Sequence, residues 1–243
     1  MRRLLPDAGP TTVAKQLDGY RPWLQPPEDR PRVAVNFATT LDGRATLDGV
    51  SGPIGSSTDT EMLSRLRTRF DAVMIGAGTM RAERYGRIGA DPEVRARRED
   101  DGLPPDPLMV LVSGRLDLPW DAPLFTDGGG RVLVFTASEA EPPQTPTPVQ
   151  VVRHEGAVNV AEALRQVRSE HEVRALICEG GPHLHSQLQD AGLVDDLFLT
   201  LAPKLAGGEA PRILEGPLHG VAELELVWLL EERSELFARY RRP

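Results

Sequence analysis

From residue 33 onward, short runs of consecutive apolar residues alternate with stretches in which apolar positions recur every three to four residues. The short runs read as strands covered on both faces, and the helical-period stretches as amphipathic crossovers. Strands are expected at 33–38, 72–77, 108–113, 131–136, 149–152, 173–179 and 197–202. Two more, 224–230 and 235–240, are separated by only the four residues 231–234, which predicts a hairpin and an antiparallel end to the sheet. Strands alternating with helices imply an α/β fold around a mostly parallel central sheet.

Three helices carry boundary signals. Thr58 followed by Glu61 spells a capping box before Met62, Leu63, Leu66 and Phe70. Asn159 with Glu162 opens a second helix, with Ala163, Leu164 and Val167 on its apolar face. Pro182 and Gly192 bracket a third, in the favoured order of proline at the start and glycine past the end. Residues 1–31 carry six prolines among scattered apolar positions and read as an N-terminal arm pinned by Tyr20, Trp23 and Leu24, leaving 32–243 as the single domain. Residues 84–107 are dense in Arg, Asp, Glu and Pro without an apolar period, which predicts a long loop. Residues 138–148 read as a simple connector, and no internal repeat is present.

Composition narrows the function classes. The chain has 243 residues, 40% apolar and 26% charged, ordinary for a globular protein. Its 28 Lys and Arg against 36 Asp and Glu give a net charge of -8, the wrong sign for holding a nucleic acid backbone. The single cysteine, Cys178, can form neither an internal disulfide nor a multi-cysteine zinc site. No run approaches the roughly 18 apolar residues of a membrane span, and the N-terminus lacks a secretory apolar core, so a cytoplasmic protein is expected.

Four segments could carry chemistry. Gly76-Ala77-Gly78-Thr79 follows an apolar strand; its bare amides suit phosphate or ribose oxygens, and a simple tight turn fits equally well. Glu179-Gly180-Gly181-Pro182 leads a buried strand into a helix, where a pyrophosphate can meet the helix N-terminus, or where the chain merely turns. A carboxylate beside an anion site is unfavourable, so Glu179 is expected to face a substrate. Asn36, Thr40 and Asp42 end a strand with groups able to hydrogen-bond a heterocycle, although Asp42-Gly43 also suits an ordinary turn. Ser113 and Arg115 could meet the 2′-phosphate that distinguishes NADP from NAD. His183 and His185 stand two apart on a helix and cannot share a metal; His154, His171 and His219 read as surface or packing residues.

In this order the segments resemble the pyrimidine reductases of riboflavin biosynthesis, the reductase half of a bifunctional deaminase–reductase. The matching blocks are NFATTLDG at 36–43, DAVMIGAGT at 71–79, EGG at 179–181, GLVDD at 192–196 and APKLAGG at 202–208, and the similarity spans about residues 31–240. The resemblance implies a dihydrofolate-reductase-like fold, NADPH as cofactor, a homodimer, and hydride delivery to C1′ of a phosphorylated ribosylaminopyrimidine. It implies that Gly76, Gly78, Thr79, Gly180, Gly181 and Pro182 hold the dinucleotide, with Ser113 and Arg115 on its 2′-phosphate. Asn36, Thr40, Asp42 and Glu179 would line the substrate side, with Asp42 and Glu179 catalytic. Arg67, Arg69, Arg81, Arg84 and Arg87 are candidates for the substrate phosphate, Arg87 foremost. The chain departs from the family in having Asn36 where a Lys is frequent and Gly52-Pro53-Ile54 where a Trp is frequent, so its substrate contacts differ. Two alternatives remain: reduction of a dihydrofolate- or pterin-type compound, and a non-catalytic nucleotide-binding protein that kept the cradle. A short-chain dehydrogenase is excluded, because no Tyr has a Lys four residues later. The zinc deaminase is excluded by the lone cysteine.

Overall fold

A computed structural model describes residues 1–243. The arm carries β1 (Arg2–Leu5), β2 (Gly9–Pro10) and α1 (Val13–Leu17), and is followed by β3 (Arg32–Thr40) and α2 (Ser57–Arg67). The middle of the chain gives β4 (Ala72–Gly76), α3 (Ala77–Glu83), α4 (Pro92–Asp100), β5 (Leu108–Val112), α5 (Pro123–Thr126), β6 (Val132–Thr136) and β7 (Val149–Arg153). The last third gives α6 (Val160–His171), β8 (Ala175–Cys178), α7 (Pro182–Asp190), β9 (Asp196–Ala202), β10 (Glu225–Glu232) and β11 (Glu235–Arg241).

All eleven strands form one sheet in the order β2-β1-β10-β11-β9-β3-β8-β4-β5-β6-β7. Pairing is parallel from β9 through β7 and antiparallel from β9 outward to β2. Because side chains alternate along a strand, each central strand feeds two cores. In β4, Val73 and Ile75 join Leu17, Leu66, Phe70 and Phe125 on one face. Ala72 and Met74 join Leu164, Val167 and Leu188 from α6 and α7 on the other. Each such buried Val, Leu, Ile, Phe or Met side chain contributes about 1.5–3 kcal/mol.

The expected α/β class, with a mostly parallel centre and an antiparallel end, is therefore observed. The hairpin closes through Arg233 and Ser234, both at positive φ (50° and 68°), the backbone of a two-residue turn that follows the sheet's twist. Asp71 holds the starts of β4 and β8 together, accepting from the backbone N–H groups of Arg174 and Ala175 and from the Arg174 guanidinium. Asp196 is fully buried and accepts from Tyr20, Arg32 and Arg239, while Asp195 accepts from Arg30 and the N–H of Val33. The acidic residues of two matching blocks thus fasten the framework.

Four expectations change. The capping residue of α2 is Ser56, whose hydroxyl accepts from the N–H of Thr58, so the helix starts before the expected Thr58–Glu61 box. Residues 84–107 contain helix α4, opened by Asp91, whose side chain accepts from the Glu93 N–H, and by Pro92. Its one buried residue is Arg98, which donates to the carbonyls of Pro104, Arg67 and Phe70; a helix fastened by hydrogen bonds shows no apolar period. The arm contributes two strands to the sheet, which short polar-flanked RRLL does not announce. Tyr20 and Trp23 are buried as expected, whereas Leu24 is 66% exposed and pins nothing.

Candidate functional site

The parallel strands β8 and β4 are neighbours, so the bends that follow them must emerge side by side. The Gly76 N–H donates to the Gly180 carbonyl at 3.0 Å, and a Cβ placed on Gly76 would sit 3.6 Å from the Gly181 nitrogen. Gly180 has φ +113°, a conformation closed to most side chains, and Gly180-Gly181 is a cis peptide. The Thr79 hydroxyl lies against this second bend, 3.2 Å from where a Gly181 Cβ would be. Two bends about a hundred residues apart in sequence form one surface.

That surface is the floor of a cleft of about 520 Å³. Gly76, Gly78, Thr79, Gly180, Gly181 and Pro182 all line it, and a Cβ on Gly78 would meet nothing within 4 Å. Helix α7 begins here with Pro182 and has no side-chain cap, so its first amides are left for an incoming acceptor. An extended anionic dinucleotide fits this construction: bare backbone at both bends, and apolar Phe37, Val112 and Leu184 for ring surfaces. Asn36 enters the wall from β3.

Glu179 lines the cleft and is tied at its back. Arg67 donates from Nε and Nη2 to its two carboxylate oxygens at 2.8 and 2.6 Å, and the Tyr85 hydroxyl donates at 3.1 Å. Burial opposes the charge of Arg67, but the Glu179 carboxylate more than offsets it and raises the guanidinium pKa. Tyr85 is raised well above its ordinary value by burial and by the same carboxylate. The site therefore holds a fixed charged pair beside a phenol that keeps its proton. Cys178, just behind, is fully buried and its thiol is pushed up to about 12 by burial, so it supplies no nucleophile.

Several expected site residues are outside the lining. Asp42 accepts from the Thr40 hydroxyl at 2.6 Å and from the N–H groups of Ala206 and Gly207, bonds that hold its carboxyl well below the usual range. It fastens the loop after β9, and Thr40, fully buried, supports it from beneath; neither residue is in the cleft lining. Ser113 is buried between the lining residues Val112 and Gly114, and Arg115 is exposed just beyond them. Arg87 pairs with Asp106 at a separate small cavity and is not in the cleft lining. The other candidate arginines are engaged as well: Arg67 with Glu179, Arg69 with Asp101, Arg81 with Asp117 and Arg84 with Asp121. No Lys or Arg lines the cleft.

Sequence reasoning missed Asp59, Glu83 and Tyr85, all cleft residues. Glu83 accepts from the Ser51 N–H, and Asp59 sits in the first turn of α2, where a carboxylate is unremarkable as a helix-start residue. Only Tyr85, an aromatic inside a charged stretch, gave a signal in the sequence. His185 stacks on Phe37 at 5.1 Å, with Nδ1 2.8 Å from the Ile213 carbonyl, and supports the wall from behind.

Comparison with known proteins gives the family of the chain. The model of the RibD C-terminal domain family matches residues 31–231. The 2,5-diamino-6-ribosylamino-4(3H)-pyrimidinone 5′-phosphate reductase of Archaeoglobus fulgidus is 32% identical over 194 residues, 77% of this chain and 87% of that protein. The riboflavin biosynthesis protein RibD of Mycobacterium tuberculosis is 30% identical over 184 residues, 75% of this chain and 45% of that longer protein. Among solved structures, a pyrimidine reductase-like protein from Corynebacterium diphtheriae superposes with a TM-score of 0.75 at 24% identity, covering 96% of this chain and 99% of that one, a likeness of fold. With the matched region running from β3 into β10 and containing both glycine bends, the chain belongs to the RibD C-terminal domain family.

Proposed function

We propose that this protein is an NADPH-dependent reductase that delivers hydride to C1′ of a phosphorylated ribosylaminopyrimidine, turning the ribosyl group into a ribityl chain. The observation that carries the reading is the contact between the Gly76 and Gly180-Gly181 bends on the floor of a cleft walled by Asn36 and Glu179. Relatives named as reductases of such a pyrimidine phosphate support it.

When bound, the nicotinamide supplies the hydride. The protein needs only to position the partners and set the field around them. Gly76, Gly78, Thr79, Gly180, Gly181 and Pro182 would hold the dinucleotide, with Ser113 and Arg115 at its 2′-phosphate end. Asn36 and Glu179 would face the pyrimidine, and Arg67 and Tyr85 would keep the Glu179 carboxylate in one orientation. The homodimer belongs to the same proposal and is read by light scattering.

Calorimetry with NADPH followed by absorbance-monitored oxidation with ribosylaminopyrimidine phosphates tests the reading. Tight NADPH binding and substrate-dependent oxidation are expected. No heat with NADPH refutes it. One observation favours a second reading: with no Lys or Arg on the cleft wall, an unphosphorylated pterin-type substrate would need no counter-charge there. Oxidation with dihydropterins or dihydrofolate and none with the pyrimidine phosphates would select it.

A further inference from the structure

Three carboxyl groups line the cleft, and their surroundings differ. Glu179 is held by a guanidinium and a phenol, and Glu83 accepts a backbone N–H. Asp59 has no cationic partner. It rises from the first turn of α2 into the cleft wall, near Thr200 of β9 and Glu235 of β11.

Glu235 is itself buried and accepts from both the N–H and the hydroxyl of Ser56, so it stays in place as an acidic neighbour. The backbone makes room for this arrangement. A Cβ on Gly55 would fall 2.2 Å from Asp59 Oδ2, so the carboxyl occupies space that only a glycine leaves. Burial and the nearby Glu235 raise the Asp59 carboxyl above the ordinary aspartate range, and the nearby Thr200 hydroxyl opposes them in part.

We propose that Asp59 is the proton donor of this site, giving its proton to the ring oxygen of the substrate's ribosyl group as the ring opens. The assignment rests on the reductase reading above. In the step, the C1′–O4′ bond breaks, its electron pair goes to O4′, and O4′ takes the Asp59 proton. C1′, left as an iminium carbon conjugated to the amino nitrogen, accepts the hydride that the nicotinamide supplies. Asp59 then recovers a proton from water, so each turnover consumes one hydride and one proton and produces the open ribityl chain. The Glu179 carboxylate, held in place by Arg67, faces and stabilises the iminium cation.

The test compares wild type with Asp59→Asn. Wild-type kcat is expected to fall at high pH as Asp59 ionises. The variant is expected to lose about 10²–10⁴-fold in kcat, to lose that alkaline limb, and to keep its NADPH Kd within about twofold. A second readout needs no turnover: difference infrared spectroscopy of the protein alone should show one protonated carboxyl persisting above the pH at which exposed carboxylates form, absent in Asp59→Asn. If Asp59→Asn keeps kcat within about threefold and retains the alkaline limb, or if the infrared band survives the substitution, the assignment is overturned while the reductase reading stands. If wild type itself oxidises no NADPH with the pyrimidine phosphates, the reductase reading fails and the assignment falls with it.

Discussion

Replacing Arg67 with Met removes one half of a buried ion pair and leaves the other half in place. Glu179 is 2% exposed through its side chain and Arg67 23%, and the two share a bidentate contact. In Arg67→Met the carboxylate keeps only the Tyr85 hydroxyl. Breaking a buried pair costs about 3–5 kcal/mol, and the partial exposure of Arg67, which admits water to the gap, puts the expectation near the lower end, about 3 kcal/mol. For a chain of this size that is a fall in Tm of roughly 6–12 °C. Urea titration and calorimetry of wild type, Arg67→Met, Glu179→Gln and the double variant form a complete cycle. The double variant should recover most of the loss, because a pair removed together leaves no stranded charge. A loss below about 1 kcal/mol in Arg67→Met refutes the reasoning. So does additivity within about 0.5 kcal/mol, since residues in one network must couple.

Three further outcomes are expected. Ser113→Ala with Arg115→Ala should weaken NADPH binding far more than NADH binding in a paired titration; equal losses would move the 2′-phosphate elsewhere. Arg98→Met, which strips the buried donors from the carbonyls of Arg67, Phe70 and Pro104, should cost about 3 kcal/mol in urea and speed proteolysis within residues 84–107; an unchanged midpoint would mean that α4 is not fastened by this side chain. The raised Asp59 carboxyl binds its proton more tightly folded than unfolded, so its contribution is intact below the unfolded value of 3.8 and is lost as pH climbs through the higher folded value. The stability of Asp59→Asn relative to wild type should therefore improve from pH 3.5 to pH 7, and a pH-independent difference would contradict the shift.

The central sheet was legible because strands buried on both faces must be apolar at nearly every position, as in AVMIG of β4 and LMVLV of β5. Boundaries written in local chemistry were legible too: Asn159 accepts from Ala161 and Glu162 as the motif implied. Helix α4 was not, because its fixed side is a guanidinium; only the Asp91-Pro92 start was visible, inside a charged stretch. In the site, each glycine bend alone read equally well as a plain turn, and only the ordered set of matching blocks singled the two out. The partners of Glu179 were not legible, because Arg67 lies 112 positions away and Tyr85 is 94 away, and only the tertiary fold brings them together. The loop-fastening bonds of Asp42 were not legible either, because an acid that fastens a loop and an acid that meets a ligand look alike in sequence.

The short strands of the arm have a consequence for solubility. β10, eight residues long, would end the sheet as an open row of donors and acceptors, but Arg2, Arg3 and Leu5 of β1 cover it at Glu231, Leu230 and Leu229, and β2 ends the row after two residues at Pro10. A two-residue border closed by proline is a poor template for another chain. Clipping the first ten residues would uncover β10 at Leu229, Leu230 and Glu231, and the shortened molecules should stack border to border into oligomers whose growth depends on concentration.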